Sequence, residues 1–292
     1  PDAVMAEVAA MLRRPGIRDP KLADRRSMPF VTIDGPGTRD LDQALFIEPA
    51  RGGGFVVHYA IADASHPVQV GSALFDEALR RGSSFYLPGM AVPMLPRELS
   101  EGITSLGPGV ERRAVVFSFH LDKRGGVKRT RIERARIRSR AQLTFEDVEL
   151  FLATGKGRLP KGVAGSLSAL QLVGELRMAD ARQRDVIRYR RNEMEFKLAR
   201  EALHFTVKGG ARTKAELYNE QLSLLCNIGG ARFLKKHRKG PDMQALFRVH
   251  PAPDAKRYHA FETMLARLCR EQNLDPKQWR WSRKTGSLAD FL

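Results

Sequence analysis

Three aspartates fall within nine residues in the segment Thr32-Ile33-Asp34-Gly35-Pro36-Gly37-Thr38-Arg39-Asp40-Leu41-Asp42-Gln43. The Gly35-Pro36-Gly37 bend can fold Asp34 back towards Asp40 and Asp42, and in extended backbone Asp40 and Asp42 point the same way. Three carboxylates drawn together repel one another unless a cation neutralises them, and an all-oxygen ligand set suits Mg²⁺ or Mn²⁺. Such a centre can bridge a phosphate and activate water. The same residue types also make ordinary surface turns, so spacing alone leaves both readings open. The pattern is not that of an EF-hand, and no Gly-Lys-Ser/Thr follows to form a phosphate loop.

Other polar groups offer weaker chemistry. Arg134, Arg136, Arg138 and Arg140 alternate with Ala135, Ile137 and Ser139, so a strand there sets four guanidinium groups on one face, as a phosphate track or as a solvated face. Arg182, Arg184, Arg188, Arg190 and Arg191 form a second basic stretch, read first as a solvated helix face. His58, His66 and Asp63 are read as structural, Asp63 as a backbone anchor near the carboxylate loop. Ser83 and Ser84 lack the Gly-flanked elbow of a serine nucleophile.

The elements that must position these groups are legible from texture. With 292 residues, 42% of them apolar, the chain can bury a sizeable core. Residues 4–13 read as a helix stopped by Pro15-Gly16, and a connector completes an N-terminal segment 1–29. From Phe30 to about Val148 alternating apolar residues and Gly-rich turns predict half-buried strands, with one short helix at 74–81. Thr144 with Asp147 has the spacing of a capping box. Helices are predicted over 166–191, 214–236 and 255–272. Strands first and helices afterwards make an α+β fold, with a mixed or antiparallel sheet in the N-terminal half packed by helices of the C-terminal half.

Fifty Lys and Arg against 33 Asp and Glu give a net charge of +17, which favours a polyanion such as nucleic acid. No apolar run reaches the ~20 residues of a membrane span, no signal-peptide pattern opens the chain, and the two cysteines, Cys226 and Cys269, suggest neither a disulfide framework nor a zinc site. These features predict a soluble, cytoplasmic protein without a membrane partner, taken as a monomer.

The aspartate segment together with His58-Tyr59-Ala60-Ile61-Ala62-Asp63-Ala64-Ser65-His66, Arg81-Gly82-Ser83-Ser84-Phe85-Tyr86-Leu87-Pro88-Gly89 and Pro93-Met94-Leu95-Pro96-Arg97-Glu98-Leu99-Ser100 resembles the RNB catalytic domain of the ribonuclease II family. A weaker likeness runs through Leu143-Thr144-Phe145, Tyr218-Asn219-Glu220 and Leu246-Phe247-Arg248-Val249-His250, so residues 30–292 are expected to form one RNB-like domain, incomplete at its C-terminal end. The resemblance implies Mg²⁺-dependent hydrolysis of single-stranded RNA from the 3′ end, releasing nucleoside 5′-monophosphates. It implies Asp34, Asp40 and Asp42 as metal-binding and catalytic carboxylates, Tyr86 and Phe196 as aromatics that stack on the terminal bases, and Glu220 as an acid lining the same cavity. Arg39, inside the motif, is expected at the RNA.

Two departures matter. Gln43 stands where the family has a fourth aspartate; its amide oxygen could still ligate weakly, with one charge fewer. The family's Thr-Ser-Pro-Ile-Arg-Arg-Tyr type segment and its small β-barrel RNA-binding domains are not in the sequence. An RNA-binding module of low hydrolytic activity is therefore the second reading, and a basic DNA-binding or ribosome-associated protein the third.

Overall fold

The computed structural model describes residues 1–187, 193–199, 204–240, 244–249 and 251–292. Two compact units emerge, residues 1–175 with 192–227, and residues 176–191 with 228–292.

The first unit is built on a seven-stranded sheet. Helix α1 (Asp2–Arg13) precedes β1 (Ala23–Asp24), β2 (Val31–Asp34), β3 (Gln43–Pro49) and β4 (Phe55–Ala62). Helix α2 (Ala73–Arg81) and a small hairpin, β5 (Phe85–Leu87) and β6 (Met90–Val92), lead through a distorted helical turn at Glu98–Ile103 to the long strands β7 (Glu111–Leu121) and β8 (Val127–Arg138). Strand β9 (Ala141–Thr144) closes the sheet in the order β1-β8-β7-β4-β3-β2-β9. The four inner pairings from β8 to β2 are antiparallel, while β1 on β8 and β2 on β9 run parallel, giving the mixed sheet expected from the sequence.

Alternation explains how the sheet is covered. Ala44, Ala60, Ala114, Val116, Ala135 and Ile137 pack on one face against Phe30 and Leu106. β3 pairs with β2 only at Val31–Leu45, and beyond that point the Ile47 N–H donates to Ser166 Oγ at 2.9 Å. Ser166 lies on α4 (Val163–Gln183), so this helix satisfies an edge that would otherwise be left unpaired. α1 belongs to the same unit: Val4 and Val8 pack with Leu74 and Leu99, and Glu7 accepts from the Ala73 and Leu74 N–H groups at the start of α2, both at 2.9 Å.

The change of texture after β9 is as expected. Thr144 caps α3 (Phe145–Thr154) in a reciprocal box with Asp147. Between α4 and α5 (Lys214–Lys236), however, a second hairpin, β10 (Glu193–Leu198) and β11 (Phe205–Gly210), stands where no strand was expected. α4 ends at Gln183, short of the predicted 191, of which positions 188–191 lie outside the described residues.

The second unit holds α6 (Ala255–Glu271) and the single turns α7 (Pro276–Trp279) and α8 (Leu288–Phe291). Its core is small: Leu265, Trp281 and Leu288, with Tyr258, Phe261 and Phe291 around them. No helix among the described residues is long and apolar enough to cross a membrane.

Candidate active site

Asp34 is the last residue of β2, and the chain leaves the sheet there because Gly35, Pro36 and Gly37 cannot continue a strand. Gly37 takes a φ of +83°, a backbone conformation that favours glycine. The returning segment is pinned at several points. Thr38 Oγ1 donates to the Gly35 carbonyl at 2.9 Å, and Gln142 of β9 donates to the Thr38 carbonyl at 2.9 Å. Ser105 Oγ donates to the Arg39 carbonyl at 2.7 Å and accepts from the Leu41 N–H at 3.2 Å, so one buried hydroxyl brackets Asp40 on both sides. The Ala62 N–H donates to the Asp42 carbonyl at 2.8 Å, tying the loop to β4.

Asp34, Asp40 and Asp42 consequently line one cleft of about 630 Å³, together with Tyr86, Arg39 and Arg97. Asp34 Oδ2 is shut off from solvent and has no hydrogen-bond partner among the described residues. Burial, with the charges of Asp42 and Asp40 added, pushes the Asp34 carboxyl up to about 7. Asp42 shifts the same way, burial first and Asp40 contributing. Its residue surface is open to the cleft. The Tyr86 hydroxyl donates to Asp40 Oδ2, and that bond raises the Tyr86 pKa while the residue stays 68% exposed.

The profile of the RNB domain matches residues 23–290. The chain belongs to the RNB family. It is 33% identical to Ribonuclease R of Escherichia coli (strain K12) over 272 residues, 92% of this chain and 33% of that protein. Ribonuclease R of Mycoplasma genitalium is 30% identical over 273 residues, 92% of this chain and 36% of that protein. The chain thus spans about a third of the length of these curated relatives. The structure of Mycoplasma genitalium RNase R in complex with ribose methylated single-stranded RNA superposes with a TM-score of 0.85 at 27% identity, covering all of this chain and 44% of that one. Yeast Ssd1, a pseudonuclease, shares the fold alone, with a TM-score of 0.56 at 17% identity over 74% of this chain and 26% of that one.

Against the RNB resemblance, the expected residues divide. Asp34, Asp40, Asp42, Tyr86 and Arg39 meet at the cleft. Phe196 lies on β10, 49% exposed, and its hairpin touches the other one: a Cβ built on Gly89, in the β5–β6 turn, would lie 3.0 Å from Leu198 Cδ2. Glu220, on α5, is paired with Arg212 at 3.2 Å and is not among the cleft-lining residues. Nor is Gln43, whose amide oxygen accepts from the Tyr59 hydroxyl. Tyr59 is buried, with Ser223 of α5 also hydrogen-bonded to it.

The arginine face on β8 has the predicted alternation, with Ala135, Ile137 and Ser139 buried. Two of its four guanidinium groups meet acids: Arg134 reaches Asp63 at 3.5 Å, and Arg136 lies 3.6 Å from Asp24 and 3.8 Å from Glu111, while Arg140 donates to the Arg26 and Ser27 carbonyls. Asp63 is clasped by Arg113 at 3.2 Å and by the Ser65 hydroxyl at 2.8 Å, a structural anchor. His58 stacks on Phe46 and bonds Ser118 at 2.9 Å, and the His66 ring covers Gly16. Of the second basic stretch, Arg184 pairs with Asp180 at 3.0 Å, while Arg188, Arg190, Arg191 and also His250 lie outside the described residues. Arg97, Glu101 and Ser105 were missed by sequence reading, since only the folded turn at 98–103 brings them to the aspartates.

Proposed function

We propose that this chain is the carboxylate-bearing part of a Mg²⁺-dependent 3′-to-5′ exoribonuclease that shortens single-stranded RNA to nucleoside 5′-monophosphates. The observation that carries the reading is the buried, unpartnered Oδ2 of Asp34 beside two more carboxylates on one cleft. A carboxylate oxygen without donors is costly to ionise, and a divalent cation is the partner such a set fits. Asp34, Asp40 and Asp42 would hold it; when bound it supplies charge neutralisation at the phosphate and a more acidic water. The chain's own part is positional: Ser105 fixes the backbone on either side of Asp40, and the exposed Tyr86 ring offers a base-tolerant stacking face. Two buried, unpaired cysteines suit the reducing cytoplasm as the place of action.

A second reading, an RNA-binding module that hydrolyses poorly, is favoured by two facts. Among the described residues no group of three or more His, Cys, Asp or Glu is set at metal-binding geometry, and the Tyr86 hydroxyl occupies one Asp40 oxygen. Incubating the chain and its Asp42→Asn variant with 5′-labelled single-stranded RNA in Mg²⁺ separates the two. Stepwise shortening by the first and not the second is the expected result. Tight binding with no shortening by either leaves the binding module standing and removes the exonuclease reading for this chain.

A further inference from the structure

Besides its aspartates, the cleft carries two arginines joined by one acid. Arg97 Nη1 donates to Glu101 Oε1 at 2.8 Å and its Nη2 to the Ala91 carbonyl of β6 at 3.2 Å. Arg39 Nη1 lies 3.8 Å from the other oxygen of Glu101. Glu101 is mostly covered, while the side chains of Arg97 and Arg39 are 54% and 77% exposed. A guanidinium has five N–H donors in one plane, so the two contacts of Arg97 fix its orientation and leave donors to spare. The backbone under Arg39 is itself held by Ser105.

Acids are shared between arginines elsewhere too, as Asp63 is between Arg113 and Arg134, but those groups do not line the cleft. Here one carboxylate is shared between two largely exposed guanidinium groups, which leaves net positive charge on the lining of the cleft that also carries Asp34, Asp40 and Asp42. A forked donor at fixed orientation is suited to phosphate oxygens.

We propose that Arg97 and Arg39, bridged by Glu101, form a phosphate clamp that holds the backbone of a single-stranded RNA against the carboxylates. The clamp rests on the reading of the cleft as an RNA site. It assigns Arg97 as a binding residue and Glu101 as a positioning residue.

The test is binding of a fluorescein-labelled oligoadenylate by anisotropy, in EDTA so that no turnover intervenes, over a range of salt concentrations. Arg97→Ala is expected to weaken binding about tenfold and to make the log–log salt slope shallower by about 0.7, the share of one phosphate on a single strand. Arg97→Lys, which keeps the charge and loses the fork, is expected to fall between. Glu101→Gln is the decisive variant: simple electrostatics makes it bind tighter, since a negative charge is removed, whereas a clamp that needs its bridge binds more weakly. Arg267→Ala, an exposed arginine on α6, serves as the control. Unchanged affinity and slope in Arg97→Ala, or tighter binding by Glu101→Gln, overturns the clamp while the wild type still binds RNA. Absence of binding by the wild type sinks the RNA reading and the clamp with it.

Discussion

An aspartate oxygen cut off from water and from donors makes the ionised form expensive, and Asp34 Oδ2 is such an atom. Its folded pKa of about 7 lies above the unfolded value of ~4. A raised carboxyl stabilises the fold fully below ~pH 4 and loses that contribution as pH rises through 7. In EDTA, the urea midpoint of the wild type is therefore expected to fall between pH 5 and pH 8 relative to Asp34→Asn, which is neutral throughout; parallel profiles would refute the buried, protonated carboxyl. Ser105→Ala should leave the fold standing, at a cost of about 1 kcal/mol for one hydrogen-bonded hydroxyl, and lower both RNA affinity and exonuclease turnover, because the same hydroxyl holds the Arg39 carbonyl and the Leu41 N–H on either side of Asp40. Unchanged affinity and turnover would count against the positioning role. At this scale the aspartates were readable, since three carboxylates around a Gly-Pro-Gly bend can be seen in a string of letters. The engagement of Gln43 was not readable, because its partner is the Tyr59 hydroxyl on the neighbouring strand, a diagonal contact set by the register that places Leu45 opposite Tyr59.

Elements were legible where period and punctuation agreed. The Thr144 box and the strands with alternating apolar residues appear where expected. The β10–β11 hairpin was missed although Met194, Phe196 and Leu198 alternate, as do Phe205 and Val207; their apolar sides remain exposed, so no buried face reinforced the pattern. Close approach of helices is equally invisible in sequence. A Cβ on Gly174 of α4 would stand 2.3 Å from the Tyr218 ring of α5 and 2.8 Å from Tyr218 Cβ, which no rotamer can move. Gly174→Ala is therefore expected to destabilise the first unit by about 1–3 kcal/mol through overpacking, despite the better helix propensity of alanine. A thermal midpoint equal to or above the wild type would show that α4 and α5 can separate freely.

For the whole molecule, charge points to a polyanionic partner and does not show how the charge is used. Some of the basic groups on β8 are spent on Asp24, Asp63 and Glu111, pairings that join segments distant in sequence and that composition cannot reveal. The two-unit organisation was not legible either, because the boundary passes through helices α4 and α5 and no linker marks it. It has a spectroscopic signature. The chain has two tryptophans, Trp279 and Trp281, and both belong to the second unit, whose core is small. Fluorescence on heating is expected to change at a lower temperature than the far-ultraviolet circular dichroism, which follows both units. Coincident transitions would mean that the chain unfolds as one cooperative body.

The contact between the two hairpins bears on inheritance. Gly89, at a φ of +78°, sits against Leu198, so the strand pair that carries Tyr86 and the one that carries Phe196 meet there. Any side chain at 89, or a bulkier one at 198, would wedge both aromatic surfaces apart at once. Descendants of this sequence are free to alter either position only in concert with the other, and a randomised library selected for RNA shortening should return the two as a correlated pair.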